Sequence, residues 1–111
     1  MGERGWYGIR TIYEHLNRAQ GRDRVYEERI VIVQAISPEE AIEKAEREAE
    51  SYANEGVSYL GYAIGFHMFG PPGEGIEVFS LMRDSRMEPN RYLDRFFDTG
   101  RERSLARPDH P

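Results

Sequence analysis

The residues able to do chemistry are few and scattered. Of the three histidines, His15, His67 and His110, none has the spacing to another histidine or to a carboxylate that a metal centre requires. His67 follows Gly65 in an alternating run, where it can bind an anion or act as a base; the plainer reading is a hydrogen-bonded histidine at a strand end. Glu27, Glu28 and Arg29 are consecutive. Carboxylates beside a guanidinium suit acid–base work, and they equally suit cross-strand ion pairs. Residues 56–61 (Gly-Val-Ser-Tyr-Leu-Gly) come near a nucleophile elbow around Ser58, but the spacing is wrong and no helix follows. Residues 70–75 carry the glycines of a phosphate loop, yet Pro71 and Pro72 remove two amide donors and Glu74 repels an anion, which leaves a hairpin turn. Trp6, Tyr7 and Tyr13 can stack on a nucleobase, or serve as core or interface aromatics. With no cysteine in the chain, thiolate catalysis and Cys-based zinc sites are excluded. No cofactor, metal or catalytic residue is expected.

The most informative pattern lies between Val57 and Phe69. Even positions are bulky (Leu60, Tyr62, Ile64, Phe66, Met68) and the odd positions between them are small (Gly61, Ala63, Gly65). Period-two alternation marks a β-strand, and glycine inside a strand marks close approach of a backbone or a ligand. The small face is therefore the expected contact surface, comprising Gly61, Ala63, Gly65 and His67, with Ser80 on the next strand and Glu27 and Arg29 beside it.

Elements to position these residues follow from the same reading. A first strand is predicted over Trp6–Leu16, with Tyr7, Ile9, Thr11 and Tyr13 facing the core, then a polar loop at 17–23. A second strand spans Arg24–Ala35 around the β-branched run Ile30-Val31-Ile32-Val33, which suggests burial on both faces. Folding one strand over the other sets Tyr7 near Val33, Ile9 near Val31 and Thr11 near Arg29. Ser37-Pro38-Glu39-Glu40 is a capping box with proline at the first helical position. The helix it opens, to about Ala53, bears the stripe Ala41, Ile42, Ala45, Ala49 and Tyr52, with Asn54 or Gly56 able to end it. A fourth strand, Ile76–Met82, pairs across the 70–75 turn, bringing Phe79 to Phe66, Leu81 to Ile64 and Ser80 to Gly65. A second helix runs from Pro89 to about Phe97.

The order β-β-α-β-β-α predicts an α+β fold: an antiparallel four-stranded sheet with helices packed on it. Residues 1–100 form a single domain and 101–111 a flexible, Arg-containing tail. The first helix can cover the bulky face and leave the small face to a partner, or nest on the small face. Apolar area favours the former. Formal net charge is −5, which argues against nonspecific nucleic-acid binding. No stretch approaches the roughly 20 apolar residues of a membrane helix, and no signal peptide opens the chain. A cytoplasmic location is the expectation.

Several segments, in this order, resemble one known family. They are Trp6-Tyr7, Tyr26-Glu27-Glu28-Arg29-Ile30-Val31-Ile32-Val33-Gln34-Ala35, Ser37-Pro38-Glu39-Glu40-Ala41, Tyr52-Ala53-Asn54 and Gly75-Ile76-Glu77-Val78-Phe79-Ser80. Over roughly residues 5–82 the chain is similar to a small bacterial family, domain of unknown function 4288. It departs from that pattern at Gly61, Ala63 and Gly65, where the family tends to carry Trp and charged residues, and again after Arg83. The resemblance implies a compact α+β domain and no activity, so no catalytic residue is carried over. Two strand faces that need cover, in a chain with two helices, point to a non-enzymatic binding or interaction module, a homodimer or the companion of a protein partner. The alternative is a small ligand-binding protein or enzyme whose groove beside Gly61, Ala63 and Gly65 uses His67, Arg29 and Glu27.

Overall fold

The computed structural model of the protein describes residues 3–16 and 24–97. The predicted loop at 17–23, His110 and the tail 101–111 lie outside the described residues. Five elements are present: β1 (Gly5–His15), β2 (Val25–Ala35), α1 (Pro38–Tyr52), β3 (Val57–His67) and α2 (Pro89–Phe96). The three strands form one antiparallel sheet in the order β2-β1-β3. By its contacts the chain divides into two compact units, 1–81 and 82–111.

β1 and β2 pair without interruption over eleven residues, from Gly5↔Ala35 to His15↔Val25. Tyr7 falls opposite Val33, Ile9 opposite Val31 and Thr11 opposite Arg29, the register expected from aligning their odd positions. β3 pairs with the other side of β1, Tyr7 opposite His67 and Thr11 opposite Ala63, and the register shifts between Thr11 and Tyr13. Gly61 sits at that irregularity with φ +76°, a left-handed conformation that glycine adopts without steric cost.

α1 begins as its capping box requires. The Ser37 hydroxyl accepts from the Glu40 amide at 3.1 Å, and the Glu40 carboxylate accepts from the Ile36 amide at 2.9 Å. Ala41, Ala45 and Ala49 are its buried residues. They let the helix lie close to the sheet, where Tyr7, Ile9, Ala35, Ala41 and Ala45 form the core and Val31, Val33, Ile42 and Ala63 pack against it.

Two expectations are corrected. The sheet has three strands, not four: residues 76–82 form no strand. Instead Val78 lies across Gly8, whose added Cβ would stand 1.6 Å from the Val78 carbonyl oxygen. Phe79 does reach Phe66, at 6.5 Å between ring centroids, but from above the sheet and not along a ladder. β3 finds its partner in β1, so Val78 and Phe79 lie over the sheet on the face turned away from α1. The second correction concerns that helix. α1 lies on the small face, not the bulky one: a Cβ on Gly65 would meet Ile42 Cδ1 at 3.5 Å. The large residues that fill the space below α1 come from β1, and the absence of side chains on β3 makes room for the helix.

In the second unit α2 starts at Pro89 behind Glu88, which makes no side-chain cap bond. Arg83 stacks on Phe96 at 4.5 Å and donates to the Tyr92 hydroxyl at 3.2 Å.

Candidate functional site

Polar side chains gather where the C-terminal half of α1 crosses β1 and β2. Alternation along β1 turns Thr11, Tyr13 and His15 towards the helix, and the β1–β2 register brings Glu27 and Arg29 beside them. Arg29 donates twice to Glu48 of α1, at 2.8 and 2.9 Å, and once to the Tyr13 hydroxyl at 3.2 Å. Its guanidinium lies 3.7 Å from the centroid of the Tyr52 ring. The Tyr13 hydroxyl also shares a 2.6 Å hydrogen bond with Thr11. One oxygen of Glu27 receives both His15 Nε2 at 2.6 Å and the Tyr52 hydroxyl at 2.7 Å. At the β3 side the Tyr59 hydroxyl donates to Glu46 at 2.7 Å.

The electrostatics follow from these contacts. Hydrogen bonding to Glu48 raises the proton affinity of Arg29 further above its ordinary range, so its charge is permanent. Burial first, and the Glu46 carboxylate second, push the Tyr59 phenol up. A carboxylate accepting from two donors, a guanidinium held by two oxygens and a paired phenol leave the cluster internally satisfied. Its members tie α1 to the sheet. Among the described residues no group of three or more His, Asp or Glu side chains could hold a metal ion.

The other predicted residues lie elsewhere. His67 stacks on Tyr7 at 4.6 Å, opposite it in the ladder. Glu27 is opposite Tyr13, six residues along β1 and so about 20 Å away. Glu27 and Arg29 therefore share a face with His67 but do not meet it. Ala63 and Gly65 lie by α1, and Gly61 has nothing within 4 Å of where a Cβ would stand. Ser80 follows in the segment that crosses the opposite face.

The sequence reading named His15 only as an isolated histidine and Tyr52 only as part of the apolar stripe, and it did not single out Glu48, Tyr59 or Glu46. The signal for His15 was present: it continues the odd positions of β1, and the register that sets Thr11 against Arg29 makes Glu27 its diagonal neighbour. The helix carboxylates Glu46 and Glu48 carried no such signal, because the rotation of α1 over the sheet decides which of them arrive.

The face away from α1 is different in character. Ile30 and Ile32 of β2 are 47% and 37% exposed, and Leu60 and Tyr62, either side of Gly61, are 46% and 52% exposed. Arg10 lies between Ile30 and Ile64 in the ladder and beneath Phe79, 5.4 Å from its ring.

A three-stranded antiparallel sheet with one helix on one face and an apolar surface on the other defines a small α+β domain. The chain belongs to the family Domain of unknown function (DUF4288), which matches residues 6–69. That span runs from β1 through the end of β3 and stops before the segment that crosses Gly8. No curated protein and no solved structure matches the chain. Among the described residues no helix is long and apolar enough to cross a membrane.

Proposed function

We propose that this protein is a non-enzymatic interaction module that self-associates through the sheet surface that α1 leaves open. The supporting observation is the pair Ile30 and Ile32, both exposed on an edge strand. Two β-branched residues in water on one face of a sheet are more costly than the scattered apolar atoms of an ordinary surface. The cluster around Arg29 and Glu27 supports a structural role, since its groups bind one another across the helix–sheet seam.

Size-exclusion chromatography with light scattering tests the reading. The full chain should elute with twice the 12.9 kDa chain mass at concentrations of about 100 μM. Ile32→Lys should return it to the monomer mass with its far-ultraviolet circular dichroism unchanged. A parent protein that is monomeric at that concentration overturns the proposal.

A further inference from the structure

The two edges of the sheet are not alike. β3 is broken by the register shift opposite Thr11 and Tyr13 and by Gly61 at φ +76°, irregularities that blunt an edge against further pairing. β2 is regular over all eleven residues. Its outward backbone groups can be assigned. The Met68 amide donates to the Trp6 carbonyl at 2.8 Å, so Trp6 turns its backbone groups to β3 and Tyr7 turns its own to β2. The pattern alternates in an antiparallel ladder. The odd residues of β2 therefore bond β1, and Tyr26, Glu28, Ile30, Ile32 and Gln34 direct N–H and C=O outwards. Consistent with this, Lys44 reaches round to the Gln34 carbonyl at 2.6 Å. Together with Glu40 at the Ile36 amide, it guards only the C-terminal end of the strand.

We propose that β2 pairs antiparallel with β2 of a second copy about a two-fold axis at Val31, joining two sheets into one of six strands. This names the partner for the self-association proposed above and rests on it. Side chains select the register. With the axis at Val31, Ile30 faces Ile32 of the second copy, Arg29 faces Val33 and Glu28 faces Gln34. Isoleucine meets isoleucine on the exposed face, and no like charges stand directly opposite. Glu28, whose carboxylate keeps Arg10 at 3.5 Å, comes opposite Gln34, whose carbonyl Lys44 already holds. A carbonyl has two lone pairs, so Lys44 and a ladder amide can both use it. Moving the axis to Ile30 sets Ile32 against Glu28. Moving it to Arg29 sets two guanidinium groups face to face, and moving it to Ile32 sets Ile30 against Gln34.

The chain has no cysteine, which makes the test direct. Val31 would be a non-hydrogen-bonded pair across the axis, with Cα atoms about 4.5 Å apart, a separation a disulfide spans. Val31→Cys in the full chain should oxidise to a covalent dimer, whereas Leu60→Cys, exposed at the bulge of β3, should cross-link at least about tenfold more slowly. Ile32→Pro removes an amide that points outwards and spares the β1–β2 ladder. It should raise the dimer dissociation constant by about tenfold or more while circular dichroism is retained. If the parent is a dimer, yet Val31→Cys stays uncross-linked and Ile32→Pro dimerises like the parent, the edge pairing is overturned and self-association through the open face stands. A monomeric parent overturns both. If Ile32→Pro does not fold, the two cysteine variants decide the matter alone.

Discussion

Replacing Arg29 with methionine separates a structural role for the cluster from a ligand-binding one. Methionine keeps most of the apolar stem and removes only the guanidinium. Three interactions go with it. The forked pair with Glu48 at 2.8 and 2.9 Å is charge-assisted and geometrically good, but the two side chains are 22% and 40% exposed, so screening limits it to about 1 kcal/mol. The stack over Tyr52 at 3.7 Å adds about 1 kcal/mol. The bond to Tyr13 adds little, because that hydroxyl keeps Thr11 at 2.6 Å and is not left unpaired. Arg29→Met should therefore cost about 2 kcal/mol, a loss of about 10 °C in Tm for a domain of this size. Urea unfolding followed by circular dichroism measures it, with the m-value unchanged. A double-mutant cycle with Glu48→Gln should return a coupling of about 1 kcal/mol. A variant within about 0.5 kcal/mol of the parent would refute the reasoning, since a residue that binds a ligand can be removed without loosening α1 whereas one that holds the helix cannot.

Two further outcomes are expected. A Cβ at Gly8 cannot coexist with the Val78 carbonyl 1.6 Å away, so Gly8→Ala should displace residues 76–81 at a cost of about 1–3 kcal/mol. Amide exchange should accelerate there and not along β1 and β2; unchanged exchange in 76–81 contradicts the crossing. The Tyr59 phenol is pushed up by burial and by Glu46, so the stability it contributes is complete below the ordinary phenol value of about 10 and is lost as pH rises towards the folded value. Tyr59→Phe should flatten the decline of unfolding free energy between about pH 9 and 11, and equal slopes for parent and variant count against the buried pairing.

What was legible depended on how far apart in the chain the partners lie. The Ser37 cap and Pro38 act within one helical turn, and α1 starts where they place it. Alternation in β1 and β2 is local too, and aligning two odd faces produced the observed register. The 57–67 run was equally clear as a strand, but its partner was not. Adjacency favoured a hairpin with residues 76–82, whose own alternation looked compatible. In the folded chain β1 takes that edge, and the later segment lies over Gly8 with Phe79 against Phe66. Nothing in Ile76–Met82 distinguishes a paired strand from an extended cover, because both ask for the same residue types.

By itself, the sequence determined three strands and two helices, the β1–β2 register, the buried stripe of α1 and the two-sided character of β3, because each depends on residues near one another or on a fixed period. It did not determine the absence of a fourth strand at residues 76–82. Tertiary structure alone decided which face of β3 the helix takes. Apolar area favoured the bulky face, but three alanines draw the helix backbone inwards, and the space beneath is already filled by Tyr7, Ile9 and Tyr13. Only a strand with Gly65 and Ala63 facing that space could close the layer. The small face that looked like a vacancy for a partner is thus the seat of the chain's own helix, and the surface left open is the one carrying Ile30 and Ile32.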